Sequence, residues 1–311
     1  MATPRDHGGG VDAALAHYGG VRGDWIDLST GINPVPYPVG PISHGAWSAL
    51  PDYAAQEALL QAARRLWAVP KDAAIVAAPG ASALIARLPA LFGIGRVHIP
   101  QPTYNEHAAA FRAHGWDNVD HGEDVRVLVH PNNPTGRWAT QEDLTAPHLI
   151  IDESFADVEP GQSLVHMAGE GEHVILKSFG KFWGLAGLRL GFAIAPRPLA
   201  RRMSDMMGPW AVSGPALQIA TIALTDLEWA TQTRARLIRD AARLDALMTA
   251  AGAEIAGGTP LFRLYDVNDA AAWQDRLAQR HIWTRIFPYS KTYLRLGLPG
   301  PDQWDRLEAA L

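Results

Sequence analysis

Val174-Ile-Leu-Lys-Ser178-Phe-Gly-Lys181-Phe-Trp-Gly-Leu-Ala-Gly-Leu-Arg189-Leu-Gly-Phe-Ala193 carries the pattern from which the fold class follows. It opens on a run that is apolar on both faces (174–176). It then passes through a polar turn holding a lysine, crosses a glycine-rich loop and returns to apolar residues at 190–193. Strands apolar on both faces belong to a sheet covered on both sides, and such sheets are mainly parallel. The same alternation repeats upstream. Apolar runs at 74–77, 97–99, 125–129 and 149–151 alternate with helical patterns at 82–92 and 106–114, and a further helix is expected at 198–207. The expectation is an α/β fold on an open, mostly parallel sheet.

Residues 1–50 are rich in Gly and Pro and read as an irregular arm with one short helix at 11–18. A helical pattern at 57–67 stops before Pro70. The nearly apolar segment 73–95 is interrupted by Pro79, Gly80, Ser82, Arg87 and Pro89, so it reads as strand, turn and amphipathic helix rather than a membrane span. Beyond 213 the pattern is helical to 250. Strands at 261–267, 281–287 and 293–298 with helices at 269–279 and 301–311 then suggest a smaller α+β unit. Gly208, Pro209, Gly214 and Pro215 mark the boundary within 207–215. The expected organisation is an arm (1–40), a large domain (41–210) and a small domain (211–311).

The 311 residues carry 27 basic against 32 acidic side chains, a net charge of -5 with no long basic run, which argues against a general nucleic-acid binder. There is no cysteine, which removes disulfides, thiolate catalysis and cysteine-based zinc sites. His107 and His114 share a helical stretch without a further ligand at metal spacing, so no metal is expected. The first residues lack the pattern of a secretion signal, which makes the cytoplasm the expected location.

In an open parallel sheet, ligands bind beyond the carboxyl ends of the strands. Four polar clusters fall there. Gly80-Ala81-Ser82 forms a glycine turn opening a helix, which suits a phosphate or serves only as a turn. Asn133, in His130-Pro-Asn-Asn133-Pro-Thr-Gly136, follows the 125–129 strand and is either a strand-terminal turn residue or an amide donor. Asp152 ends the 149–151 run. It can bind Mg²⁺, act as a base, pair with a cationic nitrogen or simply cap a helix. Lys181 is one of only four lysines in an arginine-rich chain. An amine that can lose its proton is something Arg cannot supply, so a Schiff base is one reading and a surface loop lysine the other. The Ser178-x-x-Lys181 spacing also occurs in serine acyl enzymes, whose partner motifs this chain lacks.

Ser178-Phe-Gly-Lys181 through Arg189-Leu-Gly-Phe resembles the lysine signature of the class I/II aminotransferase superfamily, the fold type I pyridoxal-phosphate enzymes. Asn133-Pro-Thr-Gly136 and Asp152-Glu-Ser-Phe155 are similar to its other two landmarks. Three further segments, His7-Gly8-Gly9, Asp27-Leu-Ser-Thr-Gly31-Ile-Asn33-Pro and Tyr293-Leu-Arg295-Leu-Gly-Leu-Pro299, resemble the threonine-phosphate decarboxylase branch of cobalamin biosynthesis, to which histidinol-phosphate aminotransferases are close. The resemblance implies pyridoxal 5'-phosphate as cofactor and a homodimer, with a small phosphorylated amino acid as substrate. It implies that Lys181 holds the cofactor and moves protons, that Asp152 pairs with the ring nitrogen, that Asn133 donates to the ring oxygen and that Tyr104 stacks on the ring. Gly80, Ala81, Ser82, Ser178 and Arg189 hold the cofactor phosphate. Arg295 takes the substrate carboxylate, Arg285 and His7 are candidates for the substrate phosphate, and Asn33 helps position the carboxylate.

The chain departs from the pattern in four places. Phe155 stands where a tyrosine is common. Leu50-Pro51-Asp52 replaces Tyr-Pro-Asp, with Tyr53 as a substitute for the tyrosine that reaches the partner subunit. Gly10 stands where Asn is usual. The helix between Asn133 and Asp152 is cut short. Decarboxylation of threonine phosphate and transamination of histidinol phosphate or a related donor use the same residues, and both readings stay open. From another class, a non-catalytic ligand sensor on the same fold is expected to carry a basic helix-turn-helix segment, for which no room is expected before His7. Generic nucleotide binding lacks its glycine motifs.

Overall fold

The computed structural model describes residues 7–311. By internal contacts the chain forms two compact units. The larger holds Tyr37–Asn133 and Trp138–Thr231, and the smaller holds the residues up to Pro36, Pro134–Arg137 and Gln232–Leu311. Among the described residues, no helix is long and apolar enough to cross a membrane.

The larger unit is built on a seven-stranded sheet. Its strands are β1 (Ala73–Ala78), β2 (Arg96–His98), β3 (Asp117–Asn118), β4 (Val125–Val129), β5 (His148–Asp152), β6 (Val174–Ser178) and β7 (Gly191–Pro196). The spatial order is β1-β7-β6-β5-β4-β2-β3. All neighbours are parallel except β7, which runs against both β1 and β6. The expected mostly parallel sheet is therefore present. Val76, Val97, Val127, Ile150 and Leu176 from the strands pack with Leu84 and Phe111 from the helices in one core. Each such side chain contributes about 1.5–3 kcal/mol by burial.

Local chemistry sets the helix ends. Asp52 caps the helix Tyr53–Leu66 by accepting from the Ala55 amide at 2.8 Å. The helix expected at 82–92 is instead Ala81–Ile85 followed by a 3₁₀ turn at Leu88–Leu91, since Pro89 has no N–H to continue the ladder. The helical stretch 213–250 is two helices, Gly214–Ala223 and Leu227–Ala250, and Asp226 caps the second by accepting from the Trp229 amide at 2.9 Å. The division between units falls inside that second helix, after Thr231, and not at the Gly/Pro cluster of 207–215. The reason is packing. The helix Gly214–Ala223 buries its apolar face against the helix Tyr53–Leu66 of the larger unit, so those glycines and prolines only turn the chain.

The smaller unit carries an antiparallel sheet of β8 (Glu254–Thr259), β9 (Phe262–Asp266), β10 (Arg285–Phe287) and β11 (Ser290–Gly297), in the order β10-β11-β9-β8. β8 was not expected, because Gly257-Gly258 in its centre gives a poor strand signal. The glycines are needed for contact. The Gly258 amide donates to the Thr135 carbonyl at 3.0 Å. A Cβ on Gly257 would fall onto that carbonyl, and one on Gly136 would fall onto the Gly258 backbone. The strand expected at 281–287 breaks at Thr284. Ile282–Trp283 pairs in parallel with Ile26–Asp27, while Arg285 and its neighbours pair with β11. The arm thus joins the smaller unit, and its helix Val11–Tyr18 buries Val11 and Ala14 beside Trp25 and Ala278. The arm residues before His7 lie outside the described residues.

Candidate active site

One cavity at the carboxyl ends of the parallel strands is lined by Gly80, Ala81, Ser82, Tyr104, Asn133, Asp152, Ser178, Lys181 and Arg189. These are all the positions expected to hold the cofactor. Asp152 is the last residue of β5 and Ser178 the last of β6, so strand register alone brings them to one rim. Gly80 ends the turn after β1 with φ of +88° and caps the helix Ala81–Ile85 without a side chain. The positive φ favours glycine here, and a Cβ would also lie 2.6 Å from Nη2 of Arg189 and push that guanidinium aside.

Asp152 is 2% exposed and its carboxylate is held from behind. Nε2 of His107 donates to Oδ2 at 2.9 Å, and the amide and hydroxyl of Ser154 donate to Oδ1 at 2.9 and 2.5 Å. Burial pushes this carboxyl up, but the His107 bond, the His107 charge interaction and the Ser154 bonds pull harder. The net direction is below the usual carboxylate range. His107 is fully buried in the first turn of the helix Asn105–Ala113, and its Nδ1 has no hydrogen-bond partner.

Tyr104 precedes that helix, with its ring centroid 6.1 Å from the His107 ring at an edge-to-face angle. The Thr103 hydroxyl donates to Oδ1 of Asn132 at 2.6 Å, and Nδ2 of Asn132 donates to the Pro102 carbonyl at 3.0 Å. These bonds tie the loop bearing Asn133 to the loop bearing Tyr104. The Lys181 amine lies 5.4 Å from the Phe155 ring centroid, so the departure from tyrosine places an aromatic face beside the lysine.

On the opposite side of the same strand ends sits a closed ion network. Lys177 is 2.6 Å from Glu153 and 3.4 Å from Asp157. Ser163 and the Leu164 amide donate to Glu153, and the indoles of Trp67 and Trp183 donate to Asp157. Burial would lower the Lys177 amine, but the charges of Glu153 and Asp157 outweigh it and the net shift is upward.

The substrate candidates lie in the smaller unit. Arg285 and Arg295 are directly opposed across β10 and β11. Their guanidinium carbons stand 5.3 and 6.0 Å from the same ring, Phe287. Arg295 is 5% exposed and donates from Nη2 to the Ser29 carbonyl at 2.6 Å. Oδ1 of Asn33 accepts from Arg236 at 2.7 Å and from the Val35 amide at 3.0 Å. His7 is exposed at the start of the described arm. Among the described residues, no group of three metal-ligating side chains is placed to hold an ion.

The roles of His107, Ser154 and Asn132 have no local pattern in the sequence. The signal for His107 was its place three residues after Tyr104, in a helix opening toward the site. Its tie to Asp152 exists only in space.

The donor set fits pyridoxal phosphate. The glycine cradle, Ser82, Ser178 and Arg189 suit a phosphate, an ionised buried carboxylate suits a cationic ring nitrogen, and Lys181 supplies the amine. The family model for class I and II aminotransferases matches residues 118–310. A threonine-phosphate decarboxylase of Sinorhizobium sp is 40% identical over 98% of this chain and 97% of that protein. One of Pseudomonas aeruginosa is 39% identical over 98% and 97%. In structure, the histidinol-phosphate aminotransferase of Sinorhizobium meliloti in complex with pyridoxal-5'-phosphate superposes with a TM-score of 0.80, at 17% identity, over 96% of this chain and 93% of that one. The chain belongs to the class I and II aminotransferase family of pyridoxal-phosphate-dependent enzymes.

Proposed function

We propose that this chain decarboxylates L-threonine O-3-phosphate to an aminopropanol phosphate, as a cytoplasmic homodimer that serves cobalamin biosynthesis. The observation that carries the reading is the Arg285–Arg295 pair. Like charges directly opposite in a sheet are destabilising. Two guanidinium groups over one aromatic ring are a reasonable arrangement if the ligand brings two anionic groups. Threonine phosphate has a carboxylate and a phosphate a few bonds apart, whereas histidinol phosphate has a phosphate and no carboxylate. The full-length relationship to two threonine-phosphate decarboxylases supports the same reading.

When bound, pyridoxal phosphate supplies an electron sink for the pair left on the substrate Cα. The remaining work falls to the chain. Arg189, Ser82, Ser178 and the Gly80-Ala81 backbone would hold the cofactor phosphate. Ionised Asp152, fixed by His107 and Ser154, would keep the ring nitrogen protonated. Asn133 would donate to the ring oxygen, and Tyr104 would cover the ring. Arg295 would bind the carboxylate in a two-pronged bond and so decide which bond to Cα breaks. Asn33, with its oxygen occupied by Arg236, would present its amide hydrogens to the same carboxylate. Arg285 and His7 would read the substrate phosphate. After CO₂ leaves, Lys181 would return a proton to Cα.

Support for the homodimer is an exposed apolar face on the larger unit. Tyr53 is 92% exposed and Trp210 is 60% exposed, and both line one groove. Leu50 and Ile222 line a second groove that shares Pro51, Asp52 and Leu217 with the first. Such a face on a protein surface marks an interaction site. A second copy is the occupant the family relationship favours, and sedimentation at micromolar concentration tests it. A phosphorylated substrate and cofactor are retained inside a cell, which supports the location.

The deciding experiment supplies purified protein with pyridoxal phosphate and threonine phosphate, and follows CO₂ and keto acid. CO₂ release without an amino acceptor supports the proposal. Keto product that depends on an acceptor, with no CO₂, makes the chain an aminotransferase instead.

A further inference from the structure

Ser29 is 1% exposed and ties together parts of the smaller unit that are far apart in sequence. Its carbonyl accepts from Nη2 of Arg295 at 2.6 Å. Its hydroxyl donates to Oδ1 of Asp27 at 2.6 Å and accepts from the Gly9 amide at 2.7 Å. Its own amide donates to the same Asp27 oxygen at 2.9 Å. The partners fix the direction of the hydroxyl proton, because an amide can only donate and a carboxylate can only accept.

The turn around Ser29 is itself pinned. The Leu28 amide donates to the Trp283 carbonyl at 2.8 Å, and the Gly297 amide donates to the Leu28 carbonyl at 2.7 Å. Ser29 is therefore registered against β11, the strand that bears Arg295. The arm reaches this turn by a close approach. A Cβ on Gly8 would fall onto the Ser29 carbonyl oxygen, and Gly9 has φ of +86°. The His7-Gly8-Gly9 pattern thus has a physical reason, since only glycines let the arm lie against Ser29. Residues 7–10 are exposed, so little apolar burial holds them. A segment of that kind opens at small cost, and the Gly9–Ser29 hydrogen bond is one of the contacts that keep it docked.

We propose that Ser29 is a positioning residue that joins two substrate-reading elements. Its carbonyl fixes Arg295, and its hydroxyl docks the arm that carries His7. The inference rests on the threonine-phosphate reading above. It assigns to the hydroxyl an effect on phosphate affinity that is separable from the carboxylate clamp.

Ser29→Ala removes the hydroxyl and keeps the carbonyl. In the holoenzyme, amide exchange across residues 7–10 should accelerate by about tenfold, the size expected from losing one hydrogen bond. KM for threonine phosphate should rise by about tenfold with kcat within about twofold. Inhibition by inorganic phosphate should weaken in parallel. Inhibition by L-threonine, which has the carboxylate without the phosphate, should stay unchanged. His7→Ala should reproduce the loss of phosphate inhibition without changing exchange in the arm. Unchanged exchange in Ser29→Ala, an unchanged KM, or equal weakening of both inhibitors would each overturn the proposal. If the wild-type protein releases no CO₂ from threonine phosphate, the functional reading fails on its own. Arm exchange and calorimetric binding of inorganic phosphate to wild type and Ser29→Ala then still decide the role of Ser29.

Discussion

Asp152 and Glu153 are consecutive carboxylates, 2% and 1% exposed, on opposite sides of one strand end. Asp152 lines the cavity and is supported from behind by His107 and Ser154. Glu153 faces the other way into a closed network, with Lys177, Ser163 and the Leu164 amide on its oxygens. The next strand repeats the contrast: Ser178 lines the cavity, and Lys177 completes the buried network. Strand alternation thus separates a face that receives a ligand from a face that holds charge for structure. Burial alone does not distinguish the two. What distinguishes them is that Asp152 still lines the cavity, whereas Glu153 and Lys177 are enclosed by their protein partners.

Four variants test that contrast. The largest effect is expected for Lys181→Ala. It should lose turnover by more than about 10⁴-fold and lose the visible absorbance of the cofactor-loaded protein, while unfolding in urea at the wild-type midpoint. Lys177→Met, four residues earlier, should do the reverse. It leaves Glu153 and Asp157 buried without their cation, which costs about 3–5 kcal/mol of stability. Urea unfolding would read this, and a wild-type midpoint would show the network to be dispensable.

His107→Phe tests the cavity face alone. With His107 present, the depressed Asp152 keeps its charge below the usual carboxylate range, so cofactor retention should be flat in mild acid. Its stabilising contribution is present above that range and is lost as pH falls through the lowered value. Without His107, burial is left opposed only by Ser154, the Asp152 carboxyl titrates higher, and the acid limb should move to higher pH. Titrating the absorbance of bound cofactor measures the shift; an unmoved limb would assign the work to Ser154. The smallest effect is expected for Phe155→Tyr, which restores the hydroxyl common in the family. Adding about one neutral hydrogen bond should change kcat/KM by no more than about fivefold.

The cavity residues were legible because each sits just after a strand whose apolar pattern was legible. Val174-Ile-Leu before Ser178 and Leu149-Ile-Ile before Asp152 located their own polar ends. Local breaks were less legible. Pro89 ended a helix early, Thr284 split an expected strand, and Gly257-Gly258 hid β8 because its glycines serve a backbone contact rather than strand propensity. His107 was visible as a residue and silent as a partner. Its bond to Asp152 joins positions 45 apart in sequence.

By itself the sequence determined the order of strands and helices, the residues at the strand ends and the family to which their spacing points, because periodicity and turn chemistry are local. Only the folded chain shows which carboxylate faces the cavity with its charge favoured by a histidine, which lysine is consumed in a buried network, and that two arginines oppose each other over one phenylalanine. Those outcomes depend on register and on contacts between distant segments, and no local pattern encodes them.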